Sequence, residues 1–529
     1  MPEIHAKNIR RAVKNVIAYG DTDVFPFSFE NVVVRKDQEN FVQLIQHLSD
    51  NFASEIEGLP PQFESTLVPA GYNGYRWVTQ IDPFWNSYLL SAVTRHGDDI
   101  EKSRLPICDR SVHSYRFDSD EQNESLFKND YNWHSFMVES HKRAQSSNFV
   151  VITDISEFYR RIYHHRVENA LQRVCNTNIP KKIIQLLSRF SGGTSYGVPV
   201  GGPAARILAE VTLNQIDHLL MARGIRFCRF VDDFHIFSDS EQDSYRAIQV
   251  LSELLILNQG LSLQKSKTRM LPSTEFINTF PEHLKPDSTP RTDRERLFSL
   301  ALNYDPYSQN AEADYEALKS SLGKIDFLSL LNEELSKSQA HGPTITKLIR
   351  SLKLTGGKVR AQAIETLMSN INILYPVFSQ FLIMVSGIRK SLTEEENKTI
   401  SENLISLITS KSYLMELDVH KCYAVRILAH YQDYRVDAIF TTWLTGGSPL
   451  LKRDVIIGFV VRGGWDYLSD FKARIAGETP WVRRAMILAS YGLGDEGKHW
   501  RQAQTFNRFE KFTQDCISQL KSTDFGDFL

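Results

Sequence analysis

Residues 226–240 read RFCRFVDDFHIFSDS, two β-prone apolar runs that meet at the adjacent carboxylates Asp232 and Asp233. The pattern predicts a hairpin, although the usual Asn-Gly turn is missing. Adjacent acids in an exposed turn are ordinary, because Asp favours such turns. Asp154 changes the weight of the pair: it lies 78 residues upstream and follows directly on another short apolar run, NFVVIT (148–153). If the two segments are neighbours in one sheet, three carboxylates share an edge. Clustered carboxylates resist simultaneous ionisation unless a cation neutralises them. Hard divalent ions such as Mg²⁺ take oxygen ligands and share them with phosphates. Two such ions roughly 3.5–4 Å apart activate an attacking hydroxyl and stabilise the leaving oxygen of an in-line phosphoryl transfer. The residues therefore predict a metal seat at Asp154, Asp232 and Asp233.

The flanking chain is clearly punctuated. SEFYRRIYHHRVENALQRV (156–174) has helical spacing at Phe158, Ile162, Val167, Leu171 and Val174. A glycine-rich turn, SGGTSYGVPVGGP (191–203), leads into a long predicted helix, with Pro203 suited to its first turn and Gly224 to its C-terminal cap. A helix over 243–258 and the segment GLSLQKSKTRM (260–270) complete the block. Residues 1 to about 150 mix helical pieces with turn-rich stretches such as VPAGYNGYRW (68–77), an irregular α+β segment. The charged, proline-punctuated PEHLKPDSTPRTDRER (281–296) reads as a linker. Beyond it the pattern is helical, and similar segments begin at Cys422, Arg453 and Arg483. Their spacing of about 30 residues fits either stacked helical hairpins of the HEAT type or an ordinary helical bundle. The expected organisation is 1–280, a linker at 281–295, and an all-α domain over 296–529.

A chain of 529 residues exceeds what one hydrophobic core supports, so at least two domains are expected. The formal charge of −2 gives no global basic signature, and any nucleic-acid surface must be a local channel. The five cysteines form no CxxC pair, which argues against a zinc site or a disulfide framework and fits a reducing cytosol. The N-terminus lacks the apolar core of a signal peptide, and no uninterrupted apolar run reaches about 18 residues. A soluble intracellular protein, with no membrane partner, is the expectation.

The block from about 70 to 275 resembles a reverse transcriptase, with its motifs in the family's order. TDISEFYRRIYHH (153–165) resembles motif A, GVPVGGP (197–203) motif B, FVDD (230–233) motif C, and GLSLQKSKT (260–268) motif D; VHSYRF (112–117) is similar to a fingers segment. The resemblance implies an α+β fingers and palm domain followed by the HEAT-like helical domain. It implies two Mg²⁺ ions at Asp154, Ile155, Asp232 and Asp233, and a catalytic Lys267. It implies nucleotide contacts at Ile155, Tyr159, Gly197, Pro199, Gly201 and Arg116, the arginine meeting the incoming triphosphate. Tyr159 is either the aromatic gate against a 2′-hydroxyl or a core ring, with Phe158 the better core candidate. Lys267 is either a donor to the pyrophosphate leaving group or part of a solvated basic face. Val200 and Gly202 stand where templating enzymes of the family usually carry glutamine and often serine, which argues against ordinary template copying.

With YGDTDVFPFSFE (19–30) and the helical second half, the chain is most similar to bacterial abortive-infection (Abi) reverse transcriptases. That resemblance implies antiphage defence in the bacterial cytoplasm, deoxynucleoside triphosphates as substrates, and template-independent, protein-primed synthesis. The product would be single-stranded DNA joined to one of 20 tyrosines, and the protein a homo-oligomer. The alternatives are an RNA-templated enzyme copying a non-coding RNA, and an inert palm serving as a binding scaffold. In the helical half, Arg453, Arg462, Arg483 and Arg484 form either a basic groove for product DNA or solvated helix faces. The rings of GYNGYRW either stack on bases or pack in the core of the fingers.

Overall fold

The structure, a computed structural model, describes residues 3–20, 24–281, 284, 292–300 and 318–519. Most of the 281–295 linker lies outside the described residues. The chain forms two compact units. The first comprises 1–23, 34–63 and 79–288; the second comprises 24–33, 64–78 and 289–529. A reading of 1–280 as one stretch does not anticipate this interleaving, because apolar residues such as Val24, Phe25 and Phe29 carry no local mark of the core they enter.

The strands are β1 (Phe63–Pro69), β2 (Tyr75–Ile81), β3 (Phe149–Asp154), β4 (Arg226–Phe230), β5 (Asp233–Ser238) and β6 (Arg269–Pro272). In the first unit the last four make a sheet of order β4-β5-β3-β6, with every pairing antiparallel. Successive side chains on a strand point to opposite faces. Val150, Cys228 and Phe237 accordingly join Phe136, Ala144, Phe276 and Phe280 in one core, and Val151, Phe227 and Ile236 are buried on the other face. Each such aliphatic or aromatic side chain contributes about 1.5–3 kcal/mol when fully buried. With both faces covered, β3 and β5 are fixed in register, since a slip of one residue would exchange their faces.

The long helix is Pro203–Ala222, with Pro203 in its first turn and Gly224, at φ 71°, just beyond its end. The helix after the hairpin is Glu241–Gln259, opened by the Ser240 side chain accepting from the Asp243 N–H. One expectation needs correction. The helical spacing over 156–174 does not make one helix: Phe158–Arg161 and His164–Val174 are separate, with extended backbone at Ile162 and Tyr163. The glycine-rich turn causes the break. The Val198 and Gly197 N–H groups donate to Tyr159 O and Ile162 O, and Tyr163 pairs with Tyr196, so these backbone groups are withdrawn from a helical ladder.

The second unit is helical over its described C-terminal residues, and its similar segments fall on Asp418–Leu428, Pro449–Arg462 and Pro480–Ser490, which pack side by side in chain order. The stretch Ile371–Ser391 is long and apolar enough to cross a membrane by length and composition, and half of it is buried in the structure. Among the described residues the four arginines form neither a basic groove nor, at Arg453 and Arg484, a solvated face. Arg453 and Arg484 are buried on Glu30, Arg462 is paired with Asp437, and Arg483 with Glu510. Nor do the rings of GYNGYRW fill a core of the fingers. The Tyr72 hydroxyl donates to Ile373 O and accepts from Ala340 N within the second unit, while Tyr75 and Trp77 are exposed.

Candidate active site

β3 and β5 run antiparallel with Asp154 opposite Asp233, and the two-residue turn Val231–Asp232 projects from the same end of the hairpin. The Ile155 N–H donates to Asp232 O (3.1 Å), which ties the end of β3 to that turn. The expected juxtaposition of Asp154, Asp232 and Asp233 is therefore present. Asp154 is 7% exposed, whereas Asp232 and Asp233 are half-buried. Burial, and then the neighbouring Asp154 charge, pushes the Asp232 carboxyl up to about 6. Burial together with Asp232 and Asp154 pushes Asp233 up to about 7.

Lys267 arrives from the segment after the Glu241–Gln259 helix. Gln264 N donates to Asp154 O (2.8 Å), Ser156 N to Ser262 O (2.9 Å), and the Thr153 and Thr268 hydroxyls bond at 2.7 Å. This seam lays 262–268 along the end of β3, and the Lys267 ammonium pairs with Asp154 Oδ2. The hydrogen bond to Asp154 raises the lysine's pKa and holds it charged.

Tyr159 and Phe158 divide as their burial separates them: Phe158 is 2% exposed in the core, and Tyr159 is half-buried. Burial raises the Tyr159 hydroxyl well above its ordinary pKa, and Tyr115, Glu210, Arg206 and Asp232 lie close enough to act on it. Gly197 and Gly201 have φ of 101° and 132°, conformations that glycine adopts freely. His164 Nε2 donates to Gly197 O (2.8 Å), fixing the loop that carries Pro199. Arg116 does not reach the site. It is 1% exposed, paired with Glu101 (3.1 Å), and donates to Leu105 O, so a triphosphate contact is not available to it.

Beside the hairpin a cavity of about 520 Å³ is lined by Tyr115, Phe127, Tyr131, Phe230, Lys128 and Arg206, among others. The Arg206 guanidinium lies over the Tyr115 ring, 5.1 Å from its centroid. Sequence reasoning missed these residues, and it missed the buried Arg229 that meets Glu210 and Asp217 beneath the hairpin. A signal was available for the latter: two acids seven positions apart on one apolar helix, and an arginine inside an apolar strand.

The donor chemistry fits a hard divalent ion. The ligand candidates are three carboxylates and the Ile155 main-chain carbonyl, all oxygen donors, and Asp154 Oδ1 is buried without a hydrogen-bond partner. The side chains are not gathered around one point, however. Among the described residues no group of three or more His, Cys, Asp or Glu is arranged to hold a metal ion. In this arrangement Asp154 Oδ2 is engaged by the Lys267 ammonium.

A family model described as reverse transcriptase (RNA-dependent DNA polymerase) matches residues 101–279, the stretch that holds the sheet and all three aspartates. A reverse transcriptase domain is thus present, with a mixed α/β palm followed by a helical C-terminal region. That domain implies nucleotidyl transfer. No curated protein matches the chain. Among solved structures, apo telomerase from Candida tropicalis is similar at 12% identity and a TM-score of 0.31, over 71% of this chain and 72% of that one. Telomerase from Candida albicans, in complex with a TWJ fragment of telomeric RNA, is similar at 11% identity and a TM-score of 0.28, over 76% and 70%.

Proposed function

We propose that this chain is a Mg²⁺-dependent DNA polymerase that extends DNA without a template from one of its own tyrosines, in abortive-infection defence against phage. The observation that carries the polymerase reading is the meeting of Asp154, Asp232 and Asp233 at one sheet edge inside a reverse transcriptase domain. Those carboxylates and Ile155 would hold two Mg²⁺ ions, which supply Lewis acidity and charge neutralisation when bound. The rest of the site is the protein's own. The Tyr159 ring excludes a 2′-hydroxyl. Lys267 supplies positive charge or a proton to the leaving pyrophosphate. Gly197, Pro199 and Gly201 let backbone approach the nucleotide, and Arg116 has no part.

Untemplated synthesis is supported by Val200 and Gly202, which offer no polar side chain to position a template. The defence role, the homo-oligomer, the single-stranded product and the bacterial cytoplasm rest on the likeness of residues 19–30 and of motif A to the abortive-infection group. A second reading, RNA-templated copying, is favoured by the description of the matching family.

The test is incubation of purified protein with Mg²⁺ and labelled deoxynucleotides, without template or primer, followed by denaturing gels before and after protease and nuclease. Label that travels with protein and is released as DNA by protease supports protein priming. Synthesis only after RNA and a primer are supplied replaces this reading with the templated one. No synthesis under either condition leaves the scaffold.

A further inference from the structure

Val231, between Phe230 and Asp232, has φ 58°. A β-branched residue in the left-handed region is strained, and such strain persists only where the surroundings over-determine it. The restraint is Arg229, whose side chain is wholly buried. Its Nη1 donates to Val231 O (2.8 Å) and to Glu210 Oε1 (3.2 Å). Nη2 donates to Glu210 Oε2 (3.0 Å) and Asp217 Oδ2 (2.5 Å), and Nε to Asp217 Oδ1 (2.8 Å). All five donors of the guanidinium are used. Glu210 is itself held by Arg104 Nη2 (2.6 Å) and the Ser114 hydroxyl (2.5 Å).

Two buried arginines and two buried acids of this kind are weak contributors to stability, since an apolar set of equal volume often does as well. Apolar side chains would not fix the direction of the Val231 carbonyl. We propose that Arg229 is a positioning residue for the carboxylate edge: anchored on Glu210 and Asp217, it holds the Val231 turn so that Asp232 faces Asp154. This inference rests on the polymerase reading for its consequence in turnover, though not for the mechanical link itself.

The test is Arg229→Lys in the full chain, which keeps the charge but has three donors for five bonds, compared with Arg229→Lys/Val231→Gly. Glycine takes positive φ without the arginine's help. The measurements are hydrogen exchange of peptides covering 230–234, nucleotide turnover, and KM. Arg229→Lys is expected to speed exchange about tenfold and to lower kcat roughly ten- to a hundredfold, with KM little changed, as misplacement of a reacting group does. Val231→Gly is expected to restore most of the lost kcat in that background. A merely structural role would lower kcat only in step with thermal stability, and glycine would not rescue it; that result overturns the proposal, as does unchanged exchange. If Arg229→Lys does not fold, Arg229→Met/Glu210→Gln/Asp217→Asn, which removes Arg229 with its two partner charges and leaves Arg104 on Glu101 (3.2 Å), takes its place in the same measurements. A wild-type chain without turnover breaks the polymerase reading, while the exchange measurement still decides whether Arg229 holds the turn.

Discussion

Two of the places where this molecule buries carboxylates are built in opposite ways. In the second unit, Glu30 is wholly buried between Arg484 (3.0 Å) and Arg453 (3.5 Å), Arg453 also pairs with Asp454 (2.9 Å), and Arg426 lies 3.8 Å from Asp454. Three guanidinium groups serve two acids. At the β3–β5 edge three aspartates share one ammonium, Lys267, whose side chain is 65% exposed. In the matched cluster the acids are outnumbered by their partners and every negative charge is met, and the cluster fastens residues 24–33 to the helices, with Arg426 donating to Phe27 O and the Tyr423 hydroxyl to Val24 O. The unmatched edge carries negative charge that the fold does not neutralise. Burial of an acid alone is therefore a poor mark of function; burial without compensation is the better one.

The sharpest test of that contrast is to neutralise one acid in each place. Asp232→Asn removes a ligand candidate with almost no change in volume, so synthesis should fall by roughly 10³-fold or more, while the melting temperature in chelator is unchanged or raised. Retained synthesis would break the assignment of the edge. Glu30→Ala should act in reverse. It removes the buried carboxylate that Arg484 and Arg453 share, a loss of about 3–5 kcal/mol of stability, read by denaturant unfolding of the second unit. If Glu30→Ala unfolds no more easily than wild type, the cluster is not the fixture described.

The edge should also betray itself through pH. Asp232 and Asp233 titrate near 6 and 7 in the folded chain, above an ordinary aspartate. A folded-state pKa raised in this way favours the folded form at low pH, and that contribution is lost progressively as pH rises from an ordinary aspartate's value, about 4, through 6 to 7. In chelator, Asp233→Asn should therefore be more stable than wild type at pH 7.5, by roughly 2 kcal/mol, and indistinguishable from it only near or below pH 3.5. Added Mg²⁺ should close the gap at pH 7.5 by stabilising wild type alone. A gap that is the same at both pH values would mean that the carboxylates are not in conflict.

The carboxylate edge is legible in the sequence because its causes are local: short apolar runs make the strands, and the acids sit where those runs stop. The Pro203–Ala222 helix is legible for the same reason, since proline and glycine mark its ends. The break at Ile162–Tyr163 is not legible, because its apolar positions continue the helical spacing and the hydrogen bonds that cause it come from the glycine turn at 195–198. Arg453 and Arg484 look like surface residues for a similar reason. Their partner, Glu30, is more than 400 positions away, and no periodicity reports a pairing at that distance. Arg116 is misjudged because a motif fixes a residue's order in the chain but not the direction of its side chain.

The smallest expected effect lies between the two extremes, at a residue that is neither matched nor charged. Tyr159 is half-buried beside Asp232, Tyr115 and Arg206, whereas its neighbour Phe158 is in the core. If the ring borders the sugar of the incoming nucleotide, Tyr159→Ala opens space for a 2′-hydroxyl. Preference for deoxynucleotides over ribonucleotides, taken as a ratio of kcat/KM values, should then drop by about tenfold, a size typical of a steric contact. Phe158→Ala should leave that ratio alone and lower stability by about 3–5 kcal/mol, the cost of emptying a core aromatic site. Should both variants lose stability with discrimination unchanged, Tyr159 belongs to the core with Phe158, and the site's selectivity must come from the backbone of the 197–201 turn.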